Sequence, residues 1–263
     1  LTFFHVILLG LVQGLTEFIP VSSDAHRAVL NEFFPVSPGQ APELEFSLRA
    51  GVLLAAIVFF RRELFALGTV PFSRVPSAVR ETERRRLLFV LVAAVSAGFV
   101  GFWLKPCVEV VESFLPAAGV GLLLTTLFLL GGELGGNSRV AFSVTEISLW
   151  HPVLLGAVQG LAVWPGLSRV GATIGLALFM GWSWENAGRF GLVTTLPAAA
   201  ASTFAAVRGL AALPHAGTVV PGLVVSFFAG LIALRLLMRI LATHRLWPVA
   251  AYTCLLGIYA VMK

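Results

Sequence analysis

Residues 13–26 read Gln13-Gly14-Leu15-Thr16-Glu17-Phe18-Ile19-Pro20-Val21-Ser22-Ser23-Asp24-Ala25-His26. A carboxylate, paired hydroxyls, the only Asp of the chain and a His stand inside an apolar N-terminal segment. Polar and ionisable groups in such surroundings are costly, so they mark a functional site by default. Pro20 stops a helix expected over 3–18. Ser22 or Ser23 then caps a second short helix over 23–34.

Outward from this stretch the chain is built for lipid. Of its 263 residues, 58% are hydrophobic and 12% charged, against a charged share of about 25% in ordinary globular proteins. Several apolar runs approach the roughly 20 residues that cross a bilayer as a helix. The composition therefore predicts an all-α, polytopic membrane protein, with 1–263 forming a single integral-membrane domain. The net charge of +5 leaves no nucleic-acid footprint, because the arginines collect at helix ends. No charged region precedes the first apolar run, which argues against a cleavable signal peptide. Cys107 and Cys254 stand alone, without metal-ligand spacing.

Pro35, Pro38, Gly39 and Pro42 mark a loop, and apolar spans are expected over 44–67, 84–104 and 117–132. Residues 68–83 read as a polar loop, and Lys105-Pro106 opens a connector holding Glu109 and Glu112. Gly131-Gly132 and the turn Gly135-Gly136-Asn137 close the third span. The chain then repeats itself. Gly10-Leu-Val-Gln-Gly-Leu15 returns as Gly156-Ala-Val-Gln-Gly-Leu161, and with one gap Pro20 falls on Pro165 and Ser23 on Ser168. A short helix over 168–181 and spans over 184–208, 217–241 and 245–262 follow.

Each half, 1–136 and 145–263, is thus a helix pair followed by three spans. An odd number of spans inverts the second half, giving an inverted-topology repeat with about six transmembrane helices and two re-entrant helix pairs. A full span over 3–20 is the alternative for the first pair. Between Arg61 and Arg86 there are seven Arg and three Glu, so this loop is expected in the cytoplasm. Arg189, Arg235, Arg239 and Arg245 fall on the same side, and Glu43, Glu45, Glu109 and Glu112 on the other. The first pair then enters from outside and the second from inside.

Gln13 and Glu17 are four apart and share a helix face, as do Ser23 and His26 at the next helix start. Arg169 and Thr173 share one behind Ser168. The two helix starts would turn free N–H groups and positive dipole ends towards one anion site. Arg169 adds a planar donor suited to phosphate. A hydroxyl, a His and a Glu beside such a site fit phosphoryl transfer or hydrolysis. The hydroxyl or an activated water attacks, and His26 and Glu17 move protons. Each residue also has a plainer reading. Ser22, Ser23 and Ser168 serve as N-caps, Glu17 as a structural partner of Arg169, His26 as an interfacial His, and Asp24 as a first-turn acid. Gln13 and Gln159 serve as packing amides. Arg49, inside an apolar span, pairs with Glu45, snorkels outward or meets phosphate.

With these residues the chain resembles the undecaprenyl-pyrophosphate phosphatase family of bacterial inner-membrane enzymes, also called bacitracin-resistance proteins. Gln13-Gly-Leu-Thr-Glu17, followed by Phe-Ile-Pro-Val-Ser-Ser and His26, is similar to the family's Glu/Gln-x-x-x-Glu segment with its downstream Ser-Ser and His. Pro165-Gly-Leu-Ser-Arg-Val-Gly-Ala-Thr173 is similar to the family's Pro-Gly-x-Ser-Arg-Ser-x-x-Thr. The resemblance implies hydrolysis of a polyprenyl pyrophosphate to the monophosphate and phosphate at the outer face of the membrane, which recycles the lipid carrier of cell-wall synthesis. It implies Ser23 as nucleophile, His26 as the catalytic His and Glu17 as the acid of the pair and a metal ligand. Arg169, Ser168, Thr173, Ser22 and Gln13 would surround the phosphates, with a divalent cation, Mg2+ or Ca2+, as cofactor.

The partner so implied is a polyprenyl pyrophosphate lipid, and a homodimer is compatible with it. The chain departs from the family pattern at three places. Gln13 stands where many members have Glu, Asp24-Ala25 replaces Thr-Gly, and Val170 replaces a Ser. The inverted repeat also suits a transporter or flippase of a phosphorylated polyprenyl lipid, the competing reading. Glu17 and His26 have no acid or His counterpart in the second half, which favours the enzyme.

Overall fold

The computed structural model describes residues 3–35, 41–74, 76–111, 114–136, 147–208 and 216–263. Glu112, Asn137, and Pro38 and Gly39 of the proline-rich loop lie outside them. Helix α1 (Phe3–Phe18) ends before Pro20, and α2 (Ser23–Phe33) starts just beyond it. Helices α7 (Trp150–Leu161) and α8 (Arg169–Phe179) repeat this arrangement around Pro165. The four have 16, 11, 12 and 11 residues. At 1.5 Å per residue they are about 16–24 Å long, short of the roughly 30 Å hydrocarbon core. None reaches that length by itself.

The other helices are α3 (Ala41–Phe59), α4 (Arg61–Thr69), α5 (Ser77–Glu109), α6 (Leu115–Gly136), α9 (Trp184–Arg208), α10 (Ala216–Ala242) and α11 (Trp247–Val261). Of these, α5, α6, α9 and α10 are long and apolar enough to cross a membrane. The other two expected spans fall short of that measure. Helix α3 carries Glu43, Glu45 and Arg49 in its first half. Helix α11 has 15 residues, about 22 Å.

Four boundaries differ from expectation. The span over 44–67 is two helices, because Phe60 (φ −93°, ψ 15°) interrupts the ladder between α3 and α4. Phe60 is buried in the core, which holds the bend. Much of the expected loop 68–83 is helical: a 3-10 turn covers Val70–Phe72, and α5 already starts at Ser77. Helix α5 also absorbs Pro106 instead of ending at Lys105. So near its C-terminus the ring disturbs only the last turns. Gly131 and Gly132 do not close α6, which runs on to Gly136. A Cβ on Gly132 would lie 2.6 Å from the Gly175 Cα, so this glycine lets α8 rest against α6.

The repeated glycines account for the packing. Helix α1 lies on α10, and α7 lies on α5. A Cβ on Gly14 would come within 2.7 Å of the Ser226 carbonyl, and one on Gly160 within 2.6 Å of the Ala97 carbonyl. Gly10 and Gly156 meet the same partner helices one turn earlier. In lipid no hydrophobic effect drives helices together, so small residues that admit close backbone contact do so instead. Helix α3 packs on α9, and α6 on α11. Val52, Ala55, Ile174, Leu192 and Leu234 share one core, so α3, α8, α9 and α10 converge there. This interlocking sets the turn after α1 against the start of α8, where Gly171 faces Pro20.

Candidate active site

Beyond Pro20 the backbone turns sharply. Ser22 has φ 66° and ψ 107°, a conformation that costs a non-glycine residue about 1–3 kcal/mol. Its Oγ accepts a hydrogen bond from Ala25 N at 3.4 Å and caps α2. Ser168 Oγ accepts from Gly171 N at 3.1 Å and caps α8. Ser168 N in turn donates to Thr125 Oγ1 at 2.9 Å, which ties the second turn to α6. With Ser22 and Ser168 as the caps, the first helical residues are Ser23 and Arg169. The sequence pairing of Ser23 with Ser168 is therefore shifted by one residue.

Both first residues end on Glu17. Ser23 Oγ donates to Glu17 Oε2 at 2.7 Å, and Arg169 Nη2 donates to Oε1 at 3.2 Å. Gln13 Nε2 donates to Oε2 at 2.8 Å, as its four-residue spacing allows. The Glu17 and Arg169 side chains are 13% and 24% exposed. Their attraction is accordingly stronger than between charges in open water.

Glu17, Ser22, Ser23, Asp24, Ser168 and Arg169 line a small cleft with apolar walls that include Val52 and Leu196. Its free volume of about 20 Å³ is room for about one water. Asp24 also lines a larger cavity of about 620 Å³, together with Arg27, Glu45 and Arg49. There Arg27 Nη2 donates to Asp24 Oδ1 at 3.1 Å, and Arg49 Nε to Glu45 Oε1 at 2.9 Å. Asp24 is the wall common to the two spaces. Its carboxylate pairs with Arg27.

Two expected residues are not brought to the cleft. His26 Nδ1 lies 2.7 Å from the Ser22 carbonyl, and Nε2 lies 2.6 Å from the Tyr252 hydroxyl. The two rings stack, with centroids 5.6 Å apart. A carbonyl only accepts, so Nδ1 carries the proton and Nε2 accepts from Tyr252. His26 thus holds the strained Ser22 turn from behind instead of touching Ser23. Thr173 is fully buried, and its hydroxyl donates to the Arg169 carbonyl at 2.8 Å. It braces α8 and does not face the cleft.

Sequence reasoning missed Tyr252, Thr125 and Arg27. Tyr252 is one of two tyrosines in the chain, both in the apolar last helix, and a phenol in such a helix was its only signal. Arg27 stands three residues after Asp24, an ion-pair spacing.

Divalent cations of the Mg2+ or Ca2+ kind take six or more oxygen ligands. Among the described residues, no three His, Cys, Asp or Glu side chains gather as a metal site. Both Glu17 oxygens already accept from Ser23, Gln13 and Arg169. Glu17 and the buried, unpartnered Gln13 Oε1 are too few protein oxygens to hold such a cation by themselves.

Residues 6–259 match the family described as bacitracin resistance protein BacA. The chain is 34% identical over 260 residues to a protein of Syntrophotalea carbinolica named undecaprenyl-diphosphatase, covering 98% of this chain and 97% of that one. It is 33% identical over 263 residues to an undecaprenyl-diphosphatase of Korarchaeum cryptofilum, covering 97% and 96%. A protein of the same name from Geobacter metallireducens is 32% identical over 264 residues, covering 96% and 95%.

Proposed function

The chain belongs to the bacitracin resistance protein family, and we propose that it hydrolyses undecaprenyl pyrophosphate to the monophosphate and phosphate. The name its relatives carry supports the substrate. The observation that carries the chemistry is the 2.7 Å hydrogen bond from Ser23 to Glu17. A hydroxyl held by a carboxylate is an activated nucleophile.

Ser23 Oγ attacks the terminal phosphorus, and its proton passes to Glu17. The anhydride P–O bond breaks, Glu17 returns the proton to the departing polyprenyl monophosphate, and a phosphoserine remains. Water then gives a proton to Glu17 and attacks the phosphoserine. Phosphate leaves as the Ser23–phosphorus bond breaks, and the proton returns to Ser23 Oγ. Arg169 and the N-termini of α2 and α8 stabilise the charge that grows on the phosphoryl oxygens. Ser22 and Ser168 fix the two turns, and Gln13 orients Glu17.

We assign the cavity of about 620 Å³ as the vestibule of the diphosphate, with Arg27 and Arg49 meeting its charge. A divalent cation, on this reading, rides on the diphosphate rather than on the protein. We assign the arginine-rich stretch 61–86 to the cytoplasm and the vestibule to the outer face of a bacterial inner membrane. The arginine bias supports this orientation. The packing of α1 on α10 and of α7 on α5 supports inverted halves 1–136 and 145–263.

The test is phosphate release from farnesyl pyrophosphate by the purified chain. Ser23→Ala and Arg169→Gln should each lower the rate at least about a hundredfold. No release by the unmodified chain would sink the activity. Full release by Ser23→Ala would move the attack to a water held by Glu17.

A further inference from the structure

Away from the Ser23 cleft, a cavity of about 440 Å³ opens between α4, α5 and α9, on the side of the 61–86 arginines. We propose that it binds a phosphate-headed lipid. Its wall is apolar, with Leu67, Phe89, Phe190 and Val193 among the lining residues, and its rim is charged. The size lies within the range of ligand-binding pockets, about 300–1,000 Å³.

The polar groups of the rim divide in a telling way. All three of its carboxylates are already used. Glu63 and Glu185 pair with Arg189, and Glu83 pairs with Arg86. Beside the Asn186 side-chain amide, two donors remain unspent. Arg62 has no partner among the described residues and points from the exposed first turn of α4. Trp182, which lines the cavity, is 3% exposed, and its indole Nε1 is buried with no acceptor. Native proteins rarely leave such an N–H orphaned. Behind it, the His151 ring stands 6.3 Å from the Trp182 ring, and His151 Nδ1 also lacks a partner.

Two unspent donors beside an apolar wall call for an acceptor-rich anion on a hydrocarbon chain. Guanidinium and N–H groups suit phosphate oxygens. A peptide's carbonyls could accept from the indole, but they carry no charge to answer the Arg62 guanidinium. The shared chemistry is a lipid phosphate, with two sources. One is a phosphodiester lipid of the bilayer, and the other is a prenyl monophosphate.

Native mass spectrometry of the detergent-purified full chain distinguishes them. Phosphatidylglycerol is titrated into the unmodified chain, and farnesyl phosphate into an Arg169→Gln background, which weakens its competing place at the cleft. One lipid should be retained, and Arg62→Gln or Trp182→Phe should each weaken it about tenfold. Phosphate release should be unchanged in both variants, since neither residue lies at the cleft. That control also reports folding, and if Trp182→Phe misfolds the exposed Arg62→Gln carries the test. Retention of phosphatidylglycerol alone makes the occupant a bilayer lipid; retention of farnesyl phosphate alone makes it a prenyl phosphate. Affinity unchanged by Arg62→Gln, no retained lipid of either kind, or equal binding of inorganic phosphate overturns the proposal.

Discussion

Ser23 and Arg169 occupy the same position, the first residue of a short helix behind a capping serine, and both donate to the carboxylate of Glu17. They come from opposite halves of the chain. One supplies a hydroxyl and the other a guanidinium, so two similar turns divide the work of a single site.

Glu17 therefore stands at the centre of the site. Glu17→Gln keeps an acceptor for Ser23 but loses the base and the charge opposite Arg169. Phosphate release should fall about 10²–10⁴-fold, the usual contribution of general base catalysis. A variant within threefold of the parent, measured on farnesyl pyrophosphate, would remove Glu17 from the proton path.

Arg27 and Arg49 line the cavity proposed as the vestibule, and their bonds go to Asp24 and Glu45 rather than to Ser23 or Glu17. Arg49→Gln should raise KM roughly tenfold, as expected for loss of one charged hydrogen bond, with kcat nearly kept. Loss in kcat with KM unchanged would place Arg49 in the chemistry instead.

Gln13 stands beside Glu17 as a donor. Gln13→Glu creates a carboxylate pair that a divalent cation can bridge. The Mg2+ concentration for half-maximal rate should drop, and inhibition by a chelator should deepen. Identical cation titrations for the two proteins would show that position 13 does not set the cation response.

His26 bonds the Ser22 carbonyl and Tyr252, which on the proposed reading gives the pair a positioning part. Tyr252→Phe removes one hydrogen bond and should reduce kcat less than tenfold, far less than Ser23→Ala. A loss matching that of Ser23→Ala would give the His26–Tyr252 pair a direct catalytic part.

Gly121 offers a stability test at the turn that leads into α8. A Cβ there would overlap the Pro165 carbonyl and crowd Leu167 N at 2.5 Å. Gly121→Ala should lower the melting temperature and also the activity, because the Pro165–Ser168 turn must shift. Overpacking of this kind costs about 1–3 kcal/mol. An unchanged melting temperature would mean that α6 moves away freely.

Local rules carried the reading of the sequence far. Hydropathy marked a membrane protein, because lipid demands long apolar helices. Pro20 and Pro165 marked the two breaks, because proline cannot continue a ladder. The repeated Gly-x-x-x-Gly around Gln13 and Gln159 marked two equivalent helices. Helical spacing alone put Gln13 on the face of Glu17, and the likeness to a known family joined Glu17, Ser23 and Arg169 before any coordinates.

The tertiary structure decided where side chains went once several partners were within reach. His26 left Ser23 for Tyr252, 226 residues away. Thr173 turned back on its own helix, and Asp24 paired with Arg27. Phe60 split one expected span because its ring found the core. Spacing along a helix fixes which face a residue occupies, and composition fixes the solvent it meets. Which of several nearby groups it bonds depends on helices brought together from distant parts of the chain, and only their packing settles that.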